Sequence, residues 1–133
     1  MSDLPDRLVA MLQAPSTGLI ATTNPDGSPQ LTEVWLDTDG KNVLVNTVQG
    51  FQKLKNVARD PRVAVSVLDR ADPADYYSLA GTVISTDTEG AAEHIDRLSH
   101  KYTGGPYPNY GGRPQVRVLL TIRVDRIVHA PWA

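Results

Sequence analysis

Residues 43–68 read VLVNTVQGFQKLKNVARDPRVAVSVL and divide into three segments. Residues 43–48 are mostly branched apolar side chains, which predict a strand. Residues 51–58 repeat apolar side chains at helical spacing, and Pro61 ends this helix because the residue before a proline disfavours helical backbone angles. Residues 63–68 alternate valine with other side chains, which is typical of a half-buried strand. The stretch predicts two strands joined by a short helix.

The segments before this stretch predict another helix and two more strands. Apolar side chains at helical spacing in 4–12 indicate a short helix, with Ser2 and Asp3 as candidates for its N-cap. Residues 18–23 and 30–36 resemble strands and are separated by the turn sequence NPDG. Together with the first strand of the quoted stretch, they predict a three-stranded meander.

The segments after residue 68 predict two strands with a helix between them. Residues 76–86 and 116–125 have strand character, and 89–102 has helical spacing. Residues 104–114, GGPYPNYGGRP, are too rich in glycine and proline for regular structure and predict a loop. The total of about six strands with helices between strand groups predicts a mainly β fold, a small antiparallel β-barrel with flanking helices, because closure removes exposed strand edges.

Composition narrows the class of protein. A chain of 133 residues with 41% hydrophobic residues fits one compact domain, and we predict a single domain over 1–133. A net charge of -2 argues against nucleic-acid binding. The absence of cysteine excludes disulfides and thiolate metal sites. The first residues lack a long apolar run, so we expect neither a signal peptide nor membrane insertion, and a cytoplasmic protein.

Positive charge is concentrated around the predicted helix of the quoted stretch. Lys53, Lys55, Arg59 and Arg62 stand there against a single acidic residue, Asp60. Asn46 and Thr47 precede them at a strand end, and a glycine turn leads into the helix, whose N-terminus favours an anion. The arrangement predicts a phosphate-binding site, and a solvated basic helix face is the alternative.

Other candidates for chemistry are few. His94, His100 and His129 lack the spacing of a metal-binding pair, so we predict no metal site and place His94 and His100 on the exposed side of their helix. Glu33 and Asp37 share a strand face without being paired, which leaves a two-carboxylate hydrolase as a remote alternative. No nucleophile elbow occurs, and the sequence identifies no catalytic residue.

Aromatic residues outside the predicted core have two interpretations. Tyr107 and Tyr110 either cover a ligand or only anchor the glycine-rich loop, and anchoring is the favoured interpretation. Trp35 and Trp132 are expected in the core or at an interface more than in contact with a ligand.

Four segments of the chain resemble the pyridoxamine-phosphate-oxidase-like split β-barrel family. They are GLIATTNPDGSPQLTEVW, VLVNTVQGFQKLKNVARDPRVAVSV, HIDRLSHKYTGG and VRVLLTIRVDRI, and the resemblance runs from residue 4 to residue 127. The most similar branch uses the deazaflavin coenzyme F420. Members that use flavin mononucleotide usually carry an arginine on the strand that here reads QLTEVWL, and this chain has none there.

The resemblance implies a split β-barrel homodimer with two cofactor sites at the subunit interface. It implies that the coenzyme phosphate is held by Asn46, Thr47, Gln52, Lys53, Lys55 and Asn56. It implies that the deazaflavin ring lies along Ile20, Ala21, Thr22, Gln30 and Thr32, largely through backbone groups. Trp35, Tyr107 and Trp132 are further candidates from the partner subunit.

The expected activity is reduction of an activated double bond, in an enone, a quinone or a tetrapyrrole-like compound, by hydride from reduced coenzyme F420. Two alternatives stay open. One is a deazaflavin carrier without turnover, because no acid or base is identified. The other is a flavin mononucleotide (FMN)-binding oxidase or a haem-utilisation protein on the same fold, since a fold alone does not determine function.

Overall fold

The structure, a computed structural model, describes residues 3–130. Its elements alternate short helices with groups of strands. In chain order they are α1 (Asp6–Gln13), β1 (Thr17–Thr23), β2 (Pro29–Val34), β3 (Leu36–Thr38), β4 (Asn42–Val48), α2 (Gln52–Arg59), β5 (Arg62–Leu68), β6 (Tyr76–Asp87), α3 (Ala91–Thr103) and β7 (Arg117–His129).

The strands form one antiparallel sheet in the order β2-β1-β5-β6-β7-β4-β3. The two edge strands, β2 and β3, are separated in sequence only by Trp35. The sheet must therefore curl until its two edges meet at that residue. The predicted strand 30–36 is thus a bent strand whose first part pairs with β1, while β3 pairs with β4.

Close backbone approach at this bend requires a glycine. A Cβ on Gly18 would lie 2.5 Å from Leu36 Cγ and 2.8 Å from the Val34 carbonyl oxygen. Gly18 pairs with Val34 in the ladder between β1 and β2. The missing side chain lets Leu36, which is fully buried, fill the space under the bend.

The core lies inside the curled sheet and is built from alternate residues of the strands. Val43 and Val45 of β4 point inward, as do Leu120 and Ile122 of β7. Helix α1 covers one end through Leu8, Met11 and Leu12, which are at most 2% exposed. None of the helices within residues 3–130 is long and apolar enough to span a membrane.

The predicted fold class, a mainly β split barrel with flanking helices, is confirmed. Residues 3–130 contain seven strands, one more than predicted, because the bend divides one predicted strand in two. The predicted cap of α1 is wrong in part, because Pro5 occupies the N-cap position and no side chain caps this helix. Ser2 lies outside the described residues.

Candidate functional site

A cleft of about 400 Å³ opens beside the end of β4, the start of α2, α3 and the loop before β7. Its wall combines aromatic side chains, two basic side chains and a few polar groups. The lining residues are Glu33, Val34, Trp35, Asn46, Thr47, Phe51, Lys53, Ile95, Leu98, Tyr107, Tyr110, Gly111, Gln115 and Arg117.

The strand end and the helix start meet at this cleft as the sequence predicts. Asn46 and Thr47 on β4 and Lys53 in the first turn of α2 all line it. The N-cap of α2 is Phe51, and no side-chain hydrogen bond caps the helix. The first N–H groups of the helix are therefore open to an anionic group beside Phe51.

Lys53 and Arg117 give the cleft its positive charge. Lys53 is only 9% exposed, and neither side chain has an acidic partner within ion-pair distance among residues 3–130. Burial, together with the charge of Arg117, lowers the pKa of Lys53. Burial also lowers the pKa of the Arg117 guanidinium. The group stays protonated, because the ordinary pKa of arginine lies far above neutral pH. Two poorly hydrated cations with no ion-paired carboxylate among residues 3–130 favour an anionic ligand.

Aromatic side chains, together with Val34, Ile95 and Leu98, form the apolar part of the wall. Trp35 stacks on Tyr102 with ring centroids 5.3 Å apart and an interplanar angle of 9°. Tyr107 meets Tyr110 edge to face at 5.8 Å, and the Arg117 guanidinium lies 4.9 Å from the Tyr107 ring centroid. Such a wall suits a flat conjugated ligand.

The loop before β7 is both anchored and part of the cleft. Tyr107 N donates a hydrogen bond to Asp96 on α3, and its hydroxyl donates to Gln115 Oε1 at 3.3 Å. Tyr107 and Tyr110 also line the cleft, so the interpretation that they serve only as loop anchors is incomplete.

His94 is buried, and its predicted exposed position is wrong. The side chain is 1% exposed; His94 Nε2 lies 3.1 Å from Asp37 Oδ2, and Nδ1 lies 3.1 Å from Asn46 Nδ2. His100, by contrast, is exposed as predicted. The sequence did contain the signal, because His94 falls on the same helical stripe as Ala91, Ile95 and Leu98.

Glu33 and Asp37 lie on either side of the bend at Trp35 and have different surroundings. Glu33 is exposed, whereas Asp37 lies against His94. Burial by itself would raise the pKa of Asp37. The hydrogen bond with His94, the Thr38 amide and the charge of Lys101 outweigh burial and lower that pKa.

Three buried polar atoms on residues that line the cleft have no partner within residues 3–130. They are Asn46 Oδ1, Thr47 Oγ1 and Arg117 Nε. Buried polar atoms are almost always hydrogen-bonded, so three unpaired atoms beside one cleft indicate partners supplied by a ligand or by ordered water. Together they offer an acceptor, a hydroxyl and a cationic donor.

Four other predicted cofactor residues form a separate polar network. Asn56 Nδ2 donates to Thr22 Oγ1 at 3.0 Å, Thr22 Oγ1 donates to Gln30 Oε1 at 3.1 Å, and Gln52 Nε2 donates to Asn56 Oδ1 at 2.8 Å. Asn56 is fully buried. These side chains satisfy one another and tie α2 to β1 and β2. Their contact with a cofactor stays a prediction, and they do not line the cleft.

The remaining predicted residues also lie away from the cleft. Lys55 is exposed on α2, and the side chain of Ile20 is in the core. Ile20 and Ala21 belong to strand β1, which is paired on both sides, and Thr32 is half-buried on β2. Ring contact by Ile20, Ala21 and Thr32 stays a prediction. Trp132 lies outside the described residues.

Arg117 is the site residue that the sequence analysis missed. It follows the glycine-rich loop and begins the alternation of β7 on the face opposite to the core. In a strand whose apolar and polar residues alternate, a single arginine outside the core face is normally predicted to be solvent-exposed. Only the fold of the preceding loop, which brings Tyr107 over the guanidinium, makes it part of a cleft.

Known proteins share this architecture. Residues 4–129 match the family described as pyridoxamine 5'-phosphate oxidase. The chain belongs to this family. The match covers the curled sheet, all three helices and the whole cleft, so the resemblance read from the sequence is confirmed at the level of the family.

Solved structures of similar fold include an F420 reductase, which is 27% identical with a TM-score of 0.81; the match covers 94% of this chain and 98% of that one. A conserved hypothetical protein from Mycobacterium tuberculosis is also 27% identical, with a TM-score of 0.73, over 95% of this chain and 84% of the other. A putative pyridoxamine 5'-phosphate oxidase from Listeria innocua is 20% identical, with a TM-score of 0.68, over 94% and 96%, and shows the shared fold alone.

Proposed function

We propose that the protein is a coenzyme F420-dependent oxidoreductase that reduces an activated double bond of a small conjugated substrate. The observation that carries this proposal is that Lys53 and Arg117 line the same cleft, which also has aromatic walls. Neither cation has an acidic partner within ion-pair distance among the described residues. A flat ring system with an anionic side chain matches both features.

The choice of a deazaflavin over FMN has two supports. The F420 reductase of similar fold matches nearly the full length of this chain. The strand that reads QLTEVWL lacks the arginine expected of the FMN-using members that the sequence resembles. FMN is therefore the alternative cofactor.

The residues of the cleft fit such a coenzyme. Lys53 and Arg117 would neutralise its phosphate or carboxylates, with the open N–H groups of α2 adding hydrogen bonds. Thr47 Oγ1 and Asn46 Oδ1 would pair with its polar groups and so lose their unpaired state. When bound, a deazaflavin supplies hydride transfer, because carbon replaces the reactive ring nitrogen of a flavin.

The protein's contribution is then binding, orientation and exclusion of water rather than nucleophilic chemistry. Trp35 is held by its stack on Tyr102, and Tyr102 Oη accepts a hydrogen bond from Leu36 N at 2.9 Å. A rigid aromatic wall of this kind orients a planar substrate against the coenzyme ring. The substrate class we propose is an enone, a quinone or a tetrapyrrole-like compound.

We also propose that the active form is a homodimer whose partner subunit completes the cleft. Phe51 and Tyr110 line the cleft and are 49% and 70% exposed in the single chain, which leaves apolar surface at its mouth. A partner that covers this surface would exclude water from the coenzyme. Sedimentation velocity at micromolar concentration distinguishes a dimer from a monomer.

An enzyme and a carrier differ in whether the bound reduced coenzyme is oxidised by a substrate. Reduced coenzyme F420 bound to the protein is mixed in a stopped-flow instrument with a panel of enones and quinones. We expect saturable oxidation of the bound coenzyme by at least one compound, faster than with free coenzyme. Tight binding without any accelerated oxidation would identify a carrier and reject the proposed activity.

A further inference from the structure

Asp37, His94 and Asn46 form a hydrogen-bonded chain that runs from the bent strand through α3 to the cleft. We propose that Asp37 and His94 are positioning residues that lock the Asn46 amide, so that Asn46 Oδ1 is the acceptor presented to an N–H or O–H of the bound ligand. The identity of that ligand as coenzyme F420 rests on the proposed function.

The orientation of the Asn46 amide follows from a backbone carbonyl. Asn46 Nδ2 lies 2.8 Å from the Ala91 carbonyl oxygen, which can only accept a hydrogen bond. The amide group at that position must therefore be the NH₂. The opposite orientation would place two oxygens against each other.

This orientation fixes the proton on His94. The second proton of Asn46 Nδ2 points to His94 Nδ1 at 3.1 Å, so Nδ1 must be the acceptor. His94 then carries its proton on Nε2 and donates it to Asp37 Oδ2 at 3.1 Å. Asp37 is a suitable acceptor, because Lys101 and the Thr38 amide hold it in the charged form.

Asn46 Oδ1 is left without a partner by this arrangement. It is buried, it has no hydrogen bond within residues 3–130, and its residue lines the cleft beside Thr47. Since Nδ2 already uses both protons, the amide cannot rotate to satisfy Oδ1 without losing two bonds. The unpaired acceptor is what the site offers to a ligand donor.

The first test measures the tautomer of His94 directly in the ligand-free protein. Long-range ¹H–¹⁵N spectra of the imidazole nitrogens are recorded, with the His94 signals assigned by their loss in His94→Gln and with exposed His100 as the reference ring. We expect a protonated Nε2 and an unprotonated Nδ1 on His94. A proton on Nδ1 would overturn the inference.

The second test measures the affinity for oxidised coenzyme F420 by fluorescence titration. Asn46→Leu should weaken binding about tenfold, the value of one lost hydrogen bond, and His94→Leu should weaken it less, because the Ala91 carbonyl still holds the Asn46 amide. The double variant should bind no more weakly than Asn46→Leu, because His94 acts only through Asn46. Additive losses would contradict a positioning role.

Two control variants distinguish loss of the hydrogen-bonded chain from a general loss of structure. His94→Gln keeps a donor and an acceptor and should recover part of the affinity, whereas His100→Gln should leave it unchanged. Thermal melting of each variant reports folding, and if His94→Leu does not fold, His94→Gln and the tautomer decide. If the wild-type protein binds no coenzyme F420, the proposed function fails, while the tautomer still tests the locked amide.

Discussion

Lys53 and Lys55 lie two residues apart on α2 and face different surroundings. Lys53 is buried and lines the cleft, whereas Lys55 is exposed to solvent. Burial lowers the pKa of Lys53, because the charged ammonium loses part of its hydration there. An anion bound beside Lys53 therefore gains more than one bound beside Lys55, where water and salt screen the charge.

Replacing each lysine by methionine separates the two roles. Lys53→Met should weaken binding of coenzyme F420 by about 10- to 100-fold, the loss of a charge-assisted hydrogen bond. The same variant should raise the melting temperature of the ligand-free protein slightly, because it removes a poorly hydrated charge that has no ion-pair partner among residues 3–130. Lys55→Met is the matched control: because Lys55 is exposed and lies away from the cleft, we expect little change in either measurement, in contrast to the phosphate contact that the family resemblance implies for it. Equal losses of affinity in the two variants would contradict the assignment of Lys53.

At the scale of elements, closure of the sheet depends on the bend at Trp35 and on Gly18 below it. Gly18→Ala should lower the free energy of unfolding by about 1 to 3 kcal/mol, because its Cβ would overlap Leu36 and the Val34 carbonyl oxygen. Urea unfolding measures the change. Gly105→Ala is the control, since a Cβ on Gly105 meets no atom within 4 Å. Equal stability of Gly18→Ala and the wild type would show that the bend tolerates a side chain.

The elements themselves were largely predictable, because hydrophobic periodicity and turn residues are local signals. Helix α2 and strand β5 lie within a residue of their predicted bounds. The bend within 30–36 was not predictable, since nothing in that run interrupts its strand character. The contact between Asp37 and His94 and the place of Arg117 in the cleft both join segments far apart in sequence, so only the fold creates them.

Across the whole molecule, ion pairs and a hydrogen bond link α1 to the end of β7. Arg7 Nη2 lies 2.8 Å from Asp69 Oδ2 and 2.8 Å from Asp75 Oδ2, and His129 Nε2 lies 2.7 Å from Asp75 Oδ1. Hydrogen bonds from Arg7 lower the pKa values of Asp69 and Asp75. This contribution to stability is complete above the ordinary aspartate pKa of about 3.9 and is lost as the pH falls through the lower folded values.

We therefore expect the free energy of unfolding to decrease as the pH is lowered from about 4. Urea unfolding at a series of pH values measures this dependence. Arg7→Met should flatten it, because the pKa values of Asp69 and Asp75 then return toward their ordinary range. An unchanged acid slope in Arg7→Met would contradict the role of these ion pairs.

A fluorescence titration of the wild-type protein with oxidised coenzyme F420, beside a parallel titration with FMN, tests the proposed cofactor. The cationic, aromatic-walled cleft and the missing strand arginine predict saturable binding of coenzyme F420 and much weaker binding of FMN. Tight binding of FMN with no binding of coenzyme F420 would rule out the proposed function and place the protein among the flavin-using members of its family.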